Sequence, residues 1–221
     1  MTELTGKDIE FFGKITASMT HEFKNVLAII KESAGLMEDI TKIAPLSDSK
    51  HQEKFDNALK TVKNQLNRGM ELSTVFNRFA HAPDKSKAEI NLKALIDQVV
   101  LLSDRFARLK HITLKAAPDD QSNKAISVTG NPVWSQMAVC TGIECCLNQM
   151  PPETEITLTS RAEDGKNGVR IDCQNVQTDA RQFCQALENS DTWKNLQEIM
   201  SAIAGNVKCL DQNPGLILLF D

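Results

Sequence analysis

The chain has 221 residues and a formal net charge of −4, enough length for one large or two small hydrophobic cores and no basic field of the kind nucleic-acid binding requires. No apolar run approaches the roughly 20 residues that span a bilayer, and Met1-Thr2-Glu3-Leu4 opens no basic-then-hydrophobic leader, so a location in the cytoplasm and no membrane partner are expected. Six cysteines without CxxC spacing, Cys145 and Cys146 adjacent in an apolar run, read as reduced packing thiols, not a disulfide framework or metal site.

The first helix is predicted over Lys7 to Ala44. Its apolar seam, Phe12, Thr16, Met19, Phe23, Val26, Ile30, Ser33, Met37, Ile40 and Ala44, alternates steps of four and three, and Ile15, Leu27, Ile29, Leu36 and Ile43 widen it. On this heptad His21 takes the outermost position. Asn25, Ala28, Glu32 and Gly35 continue the same exposed row, because residues three and four apart share a helix face. An exposed histidine with the Glu22 carboxylate next in sequence is poised for chemistry. A zinc-protease motif would need a second histidine where Asn25 stands, so that reading fails.

Pro45 with Ser47-Asp48-Ser49 predicts a turn, and Phe55, Leu59, Val62, Leu66, Met70, Ser73, Phe76 and Ala80 a second helix antiparallel to the first. Pro83, in His81 to Ser86, closes it. Each stripe is wider than one partner helix can cover, so a homodimeric four-helix bundle through residues of roughly 7 to 82 is expected, with His21 on its outer wall. The alternative is a hairpin packed on its own C-terminal domain. The two domains are taken as 1–84 and 85–221.

Beyond Asp84, Ile90 to Ile96 leads into a helix through Leu109, and His111 to Ala116 alternates as a strand does. Asp119 to Asn123 reads as a loop, Ala125 to Thr129 as a strand, and Val133 to Gln149 as an apolar helix ended by Pro151 and Pro152. Glu155 to Ser160 and Val169 to Gln174 are strands joined by the turn Asp164 to Gly168. A helix over Trp193 to Ala204 and a hairpin of Gly205–Leu210 with Leu216–Phe220 about Asn213-Pro214-Gly215 complete the chain. The fold class is α+β, the second domain being an α/β two-layer sandwich.

His21, Glu22, Lys24 and Asn25 resemble, in order, the phospho-accepting histidine, following carboxylate, basic residue and Asn or Thr of the phosphotransfer helix of sensor histidine kinases. Val26 replaces the usual proline. The second domain resembles that family's ATP-binding domain from about Glu89 to Phe220, best from Gly130-Asn131-Pro132 to Met150-Pro151. The resemblance also defines what is missing. Cys145, or Thr141 one turn earlier, stands where the metal-binding Asn belongs, with Asn148 off register. Cys173-Gln174-Asn175-Val176 replaces the adenine-binding Asp-x-Gly, and the last helix is entered through Asp191-Thr192-Trp193 without a Gly-x-Gly phosphate loop. The segment from Asn175 to Trp193 is too short and polar for the usual lid over ATP.

The resemblance therefore implies a phosphorelay histidine phosphotransferase of two-component signalling, derived from a kinase that lost ATP binding. His21 would be the phosphoacceptor, Glu22 its orienting group or base, and Asn25 the residue that aligns water for phosphatase action. Ala28, Glu32 and Gly35 would form the docking row for response-regulator receiver domains. No cofactor is expected, the receiver bringing its own magnesium. An imidazole, with an ordinary pKa of about 6.5, is a competent nucleophile near neutrality. Two alternatives remain: an active sensor kinase fragment that uses ATP, and a non-enzymatic dimeric adaptor that sequesters a regulator. The helices begin almost at Met1, so a signal would arrive through a partner or the chain is a fragment. His51, His81 and His111 suggest only surface positions.

Overall fold

The computed structural model describes residues 6–43, 49–118, 126–163, 165–176 and 178–220. The predicted turn at Pro45 to Asp48, the loop at Asp119 to Asn123, and Ala44, Ala125 and Asp164 lie outside them. Two compact units are present, residues 13–79 and residues 1–12 together with 80–221, so the division falls inside the first helix and just before Ala80.

The first unit is built from the parts of α1 (Gly6–Ile43) and α2 (Ser49–Ala80) that lie within residues 13–79. At 1.5 Å per residue these helices are about 57 Å and 48 Å long. The intervening residues 44–48 reach at most about 18 Å, so helices that pack along their length must run antiparallel. They do pack. A Cβ added at Gly69 would sit 3.4 Å from Val26 Cγ1, and Phe23 and Phe76 meet edge to face with ring centroids 6.4 Å apart. Ile15, Met19, Val26, Ser33 and Ile40 of α1 and Ala58, Leu72, Val75 and Phe79 of α2 are buried. Thr16, predicted in the seam, is exposed, and Ile15 takes its place one residue earlier. Ser18 and Glu22 are buried as well, where apolar periodicity alone left them outside the stripe. One apolar band is left uncovered: Leu27, Leu66 and Met70 are 64%, 52% and 68% exposed.

The second unit is a sandwich. Its five-stranded sheet has the order β2 (Thr113–Ala116), β4 (Glu155–Glu163), β5 (Lys166–Gln174), β7 (Gly215–Phe220), β6 (Asn206–Cys209); the first pair is parallel and the others antiparallel. A separate ribbon joins β1 (Ala88–Asn91) to β3 (Ser127–Gly130) in the register Ala88↔Gly130. The helices are α3 (Leu92–Leu109), α4 (Pro132–Gln149), α5 (Ala180–Glu188) and α6 (Asp191–Ala202). The alternate strand residues Ile156, Leu158, Val169, Ile171, Cys173, Leu216, Leu218 and Phe220 share one core with residues of all four helices, as the two-residue side-chain period of a strand requires. Gly142 lets α4 lie on the sheet, since a Cβ there would meet Ile171, Leu218 and Leu216 at 3.1 to 3.5 Å.

The fold class is as predicted, and several boundaries move. Ile90 and Asn91, expected to lead into a helix, belong to β1, and the Asn91 side chain accepts from Ala94 N at 2.9 Å to cap α3. The segment after Asn175 holds α5, absent from the sequence reading. Ala180, Phe183 and Leu187 form its buried face, and Asp179 caps it by accepting from Gln182 N at 2.9 Å. Phe12, expected in the hairpin seam, packs with Phe11 against the sandwich core.

Candidate phosphotransfer site

Helical geometry decides which side chains near position 21 can act together. With Val26 turned to α2, His21 is rotated roughly 140° to one flank of α1, Asn25 roughly 100° and Glu22 only roughly 40° to the same flank, whereas Leu27 is rotated roughly 100° to the other. Accordingly His21, Lys24, Asn25, Ala28 and Glu32 are exposed and Gly35 is half-buried. A Cβ added at Gly35 would meet nothing within 4 Å, so packing within the chain does not demand glycine there. The imidazole and the Asn25 amide lie one turn apart on one exposed face.

Glu22 points elsewhere. Its side chain is 5% exposed, and Oε2 accepts from Arg68 Nη2 of α2 at 2.7 Å; Arg68 itself is 42% exposed. Neighbours in a helix do not face each other, so His21 comes together with Asn25, and Glu22 with Arg68. Sequence reasoning missed Arg68. Apolar periodicity carried no signal for it, because it put neither Glu22 nor Arg68 in a seam.

In the second unit, the residues standing where the kinase resemblance puts nucleotide ligands are engaged in packing. Thr141 and Cys145 are buried. Burial and the nearby Glu144 push the Cys145 thiol up to about 12. Contact with Cys173 and burial push Cys146 well above its usual value. Neutral thiols in an apolar layer are poor ligands for a hard cation such as magnesium. Asn148 accepts from Lys110 Nζ at 2.9 Å and donates to Thr192 Oγ1 at 3.4 Å, tying the end of α4 to α3 and α6. Trp193, in the first turn of α6, is buried in the shared core, and its backbone N–H donates to Ser190 Oγ at 3.1 Å. Among the described residues, no three His, Cys, Asp or Glu side chains are grouped to hold a metal ion, and no helix is long and apolar enough to cross a membrane.

No protein-family model matches the chain, and no characterised protein matches it in sequence. Among solved structures, the chain is similar to the catalytic domain of histidine kinase ThkA in a nucleotide-free form: 16% identity, 62% of this chain and 94% of that one covered, TM-score 0.46. It is similar to Acinetobacter baumannii histidine kinase AdeS at 12% identity, over 90% of this chain and 95% of that one, with a TM-score of 0.42. A match to ThkA in complex with response regulator protein TrrA has 16% identity, covers 97% of this chain and 62% of that one, and scores 0.45.

Proposed function

We propose that the chain is a cytoplasmic phosphorelay histidine phosphotransferase, exchanging a phosphoryl group between His21 and aspartates of response-regulator receiver domains without binding ATP. The observation that carries this reading is the exposed His21 beside the exposed Asn25, in a four-place His-Glu-x-Lys-Asn pattern on one face of α1. In the transfer, one imidazole nitrogen attacks the phosphorus of the receiver's aspartyl phosphate. The N–P bond forms as the P–O bond breaks, and its electron pair leaves with the aspartate carboxylate. The proton on the other ring nitrogen is held or taken by a base, the role assigned to Glu22. Glu22 reaches the ring only by giving up Arg68. Asn25 aligns a water that hydrolyses the same aspartyl phosphate. The magnesium of this chemistry belongs to the receiver.

The exposed Ala28 and Glu32, with the half-buried Gly35, form the docking surface. The uncovered band of Leu27, Leu66 and Met70 lies on the opposite flank of α1 from His21, which suits pairing of two chains into a four-helix bundle that leaves both histidines on the outside. Receiver domain phosphorylated with labelled phosphate should label the chain, and His21→Ala should abolish the label. A His21→Ala chain that still takes label refutes the proposal, and one that binds the receiver as well as the parent, with no phosphate movement in either, identifies an adaptor.

A second reading, an ATP-using kinase, is favoured by the order of elements from β1 to β7, with α4 following Gly130-Asn131-Pro132. The buried Cys145 and Trp193 weigh against it. Magnesium-ATP titration separates the two: saturable binding with autophosphorylation at His21 supports the kinase, and a flat titration the phosphotransferase.

A further inference from the structure

The seam of the hairpin is apolar at Ile15, Met19 and Val26, yet between them it buries a polar layer. Ser18 and Glu22 supply it from α1, and Glu22 is met from α2 by the part-exposed Arg68. Ser18 Oγ is buried without a hydrogen-bond partner among the described residues. A seam built only for stability would be filled with apolar side chains, since burying polar groups and charges costs free energy that an ion pair does no more than return. The layer falls at the turn that carries His21. Glu22 lies on the His21 flank of the seam, next to His21 in sequence and three residues before Asn25, so its carboxylate has two places to go: inward to Arg68, where it is found, or outward to the imidazole.

We propose that Arg68 is a positioning residue of the His21 site, which draws the Glu22 carboxylate into the hairpin seam and so holds it off the imidazole until the ion pair opens. The inference rests on His21 being the reactive group of the proposed phosphotransferase. An arginine suits the task, because its guanidinium stays charged and binds a carboxylate in a fixed geometry. Arg68 is 42% exposed, so an incoming anion would compete with Glu22 for the guanidinium. With Arg68 removed, the carboxylate would lose the guanidinium that draws it inward and would turn outward, next to the ring. There it would hold the imidazole tautomer and raise the reactivity of the other nitrogen.

The test uses the full chain and reads His21 directly, as the rate of its carbethoxylation by diethyl pyrocarbonate, site-resolved by mass spectrometry. Arg68→Met should raise that rate on the order of tenfold, Arg68→Lys should restore the parent rate, and Glu22→Gln/Arg68→Met should react as Glu22→Gln alone does. An unchanged rate in Arg68→Met overturns the proposal, and so does the same fold-change in the Glu22→Gln background, because Arg68 would then act without Glu22. Circular dichroism follows the helices. If Arg68→Met loses them, the two chains carrying Glu22→Gln still decide, since neither has a carboxylate at position 22 and any difference between them overturns the proposal. Labelling by phosphorylated receiver runs in parallel. The carbethoxylation pattern without labelling refutes the phosphotransferase and leaves the role of Arg68 standing; labelling without the pattern refutes only the role of Arg68.

Discussion

At the scale of single residues, chemistry and strain are found in different places. His21 depends on little but its helix: it is exposed because it lies on the face of α1 turned away from α2. Loss of label in His21→Ala, with helix content intact, is therefore the expected signature of a group used for chemistry and not for packing. Backbone strain lies in the other unit, at Ala204, which has a φ of 56° where α6 ends. The helix closes there with Gly205 N–H on Met200 O at 2.8 Å and Ala204 N–H on Ser201 O at 3.1 Å, an arrangement whose left-handed position normally takes glycine. A Cβ in that conformation costs about 1–2 kcal/mol, offset in part by the smaller entropy of an unfolded alanine. Ala204→Gly should raise stability by about 0.5–1 kcal/mol, read as a higher denaturant midpoint at constant slope.

At the scale of elements, α4 is buried nearly all round, and its thiols make it sensitive to alkali. Cys145 keeps its proton up to about pH 12 in the folded chain, whereas an unfolded thiol ionises near 9.0. Below pH 9 both states carry the proton and this thiol's contribution to stability does not change with pH. Above it the unfolded state loses the proton first, so stability falls as pH rises from 9 toward 12, by at most about 1.4 kcal/mol per unit for each such thiol. Urea melts at pH 8 and pH 10 should show this loss, and Cys145→Ala should reduce it. The strand pair β5·β7 is equally exacting. A Cβ at Gly168 would lie 2.3 Å from Leu218 O, inside the ladder that pairs Gly168 with Leu219. Gly168→Ala must push the strands apart and should cost roughly 2–4 kcal/mol, seen as a lower thermal midpoint with the hairpin's helical signal retained.

At the scale of the whole molecule, the hairpin leaves an apolar band that its own two helices do not bury. Three side chains each more than half exposed, on one flank and at helical spacing, are what a second copy would cover. Leu66→Glu should convert a dimer into a monomer in sedimentation equilibrium while leaving the sandwich core unaffected; a parent chain that sediments as a monomer would refute the bundle. His21 lies on the other flank, so the same substitution should leave label transfer from a receiver measurable.

Much of this was readable in the residues. The heptad in α1 placed Met19, Val26, Ser33 and Ile40 in the seam and His21 outside it, because a helix imposes its own period whatever it packs against. Strand alternation and the Gly-Asn-Pro turn placed the sandwich elements within a few residues for the same reason. What local pattern could not supply was pairing across the chain. β1 is four residues hydrogen-bonded to β3, nearly forty positions on, and α5 is a short helix whose apolar face becomes visible once the core it covers is known. Glu22 is the sharpest case. Its spacing from His21 suggested a catalytic partner, yet a carboxylate goes to the nearest cation, and the cation lies on α2 at Arg68, a contact that sequence separation hides and only the folded hairpin brings within 2.7 Å.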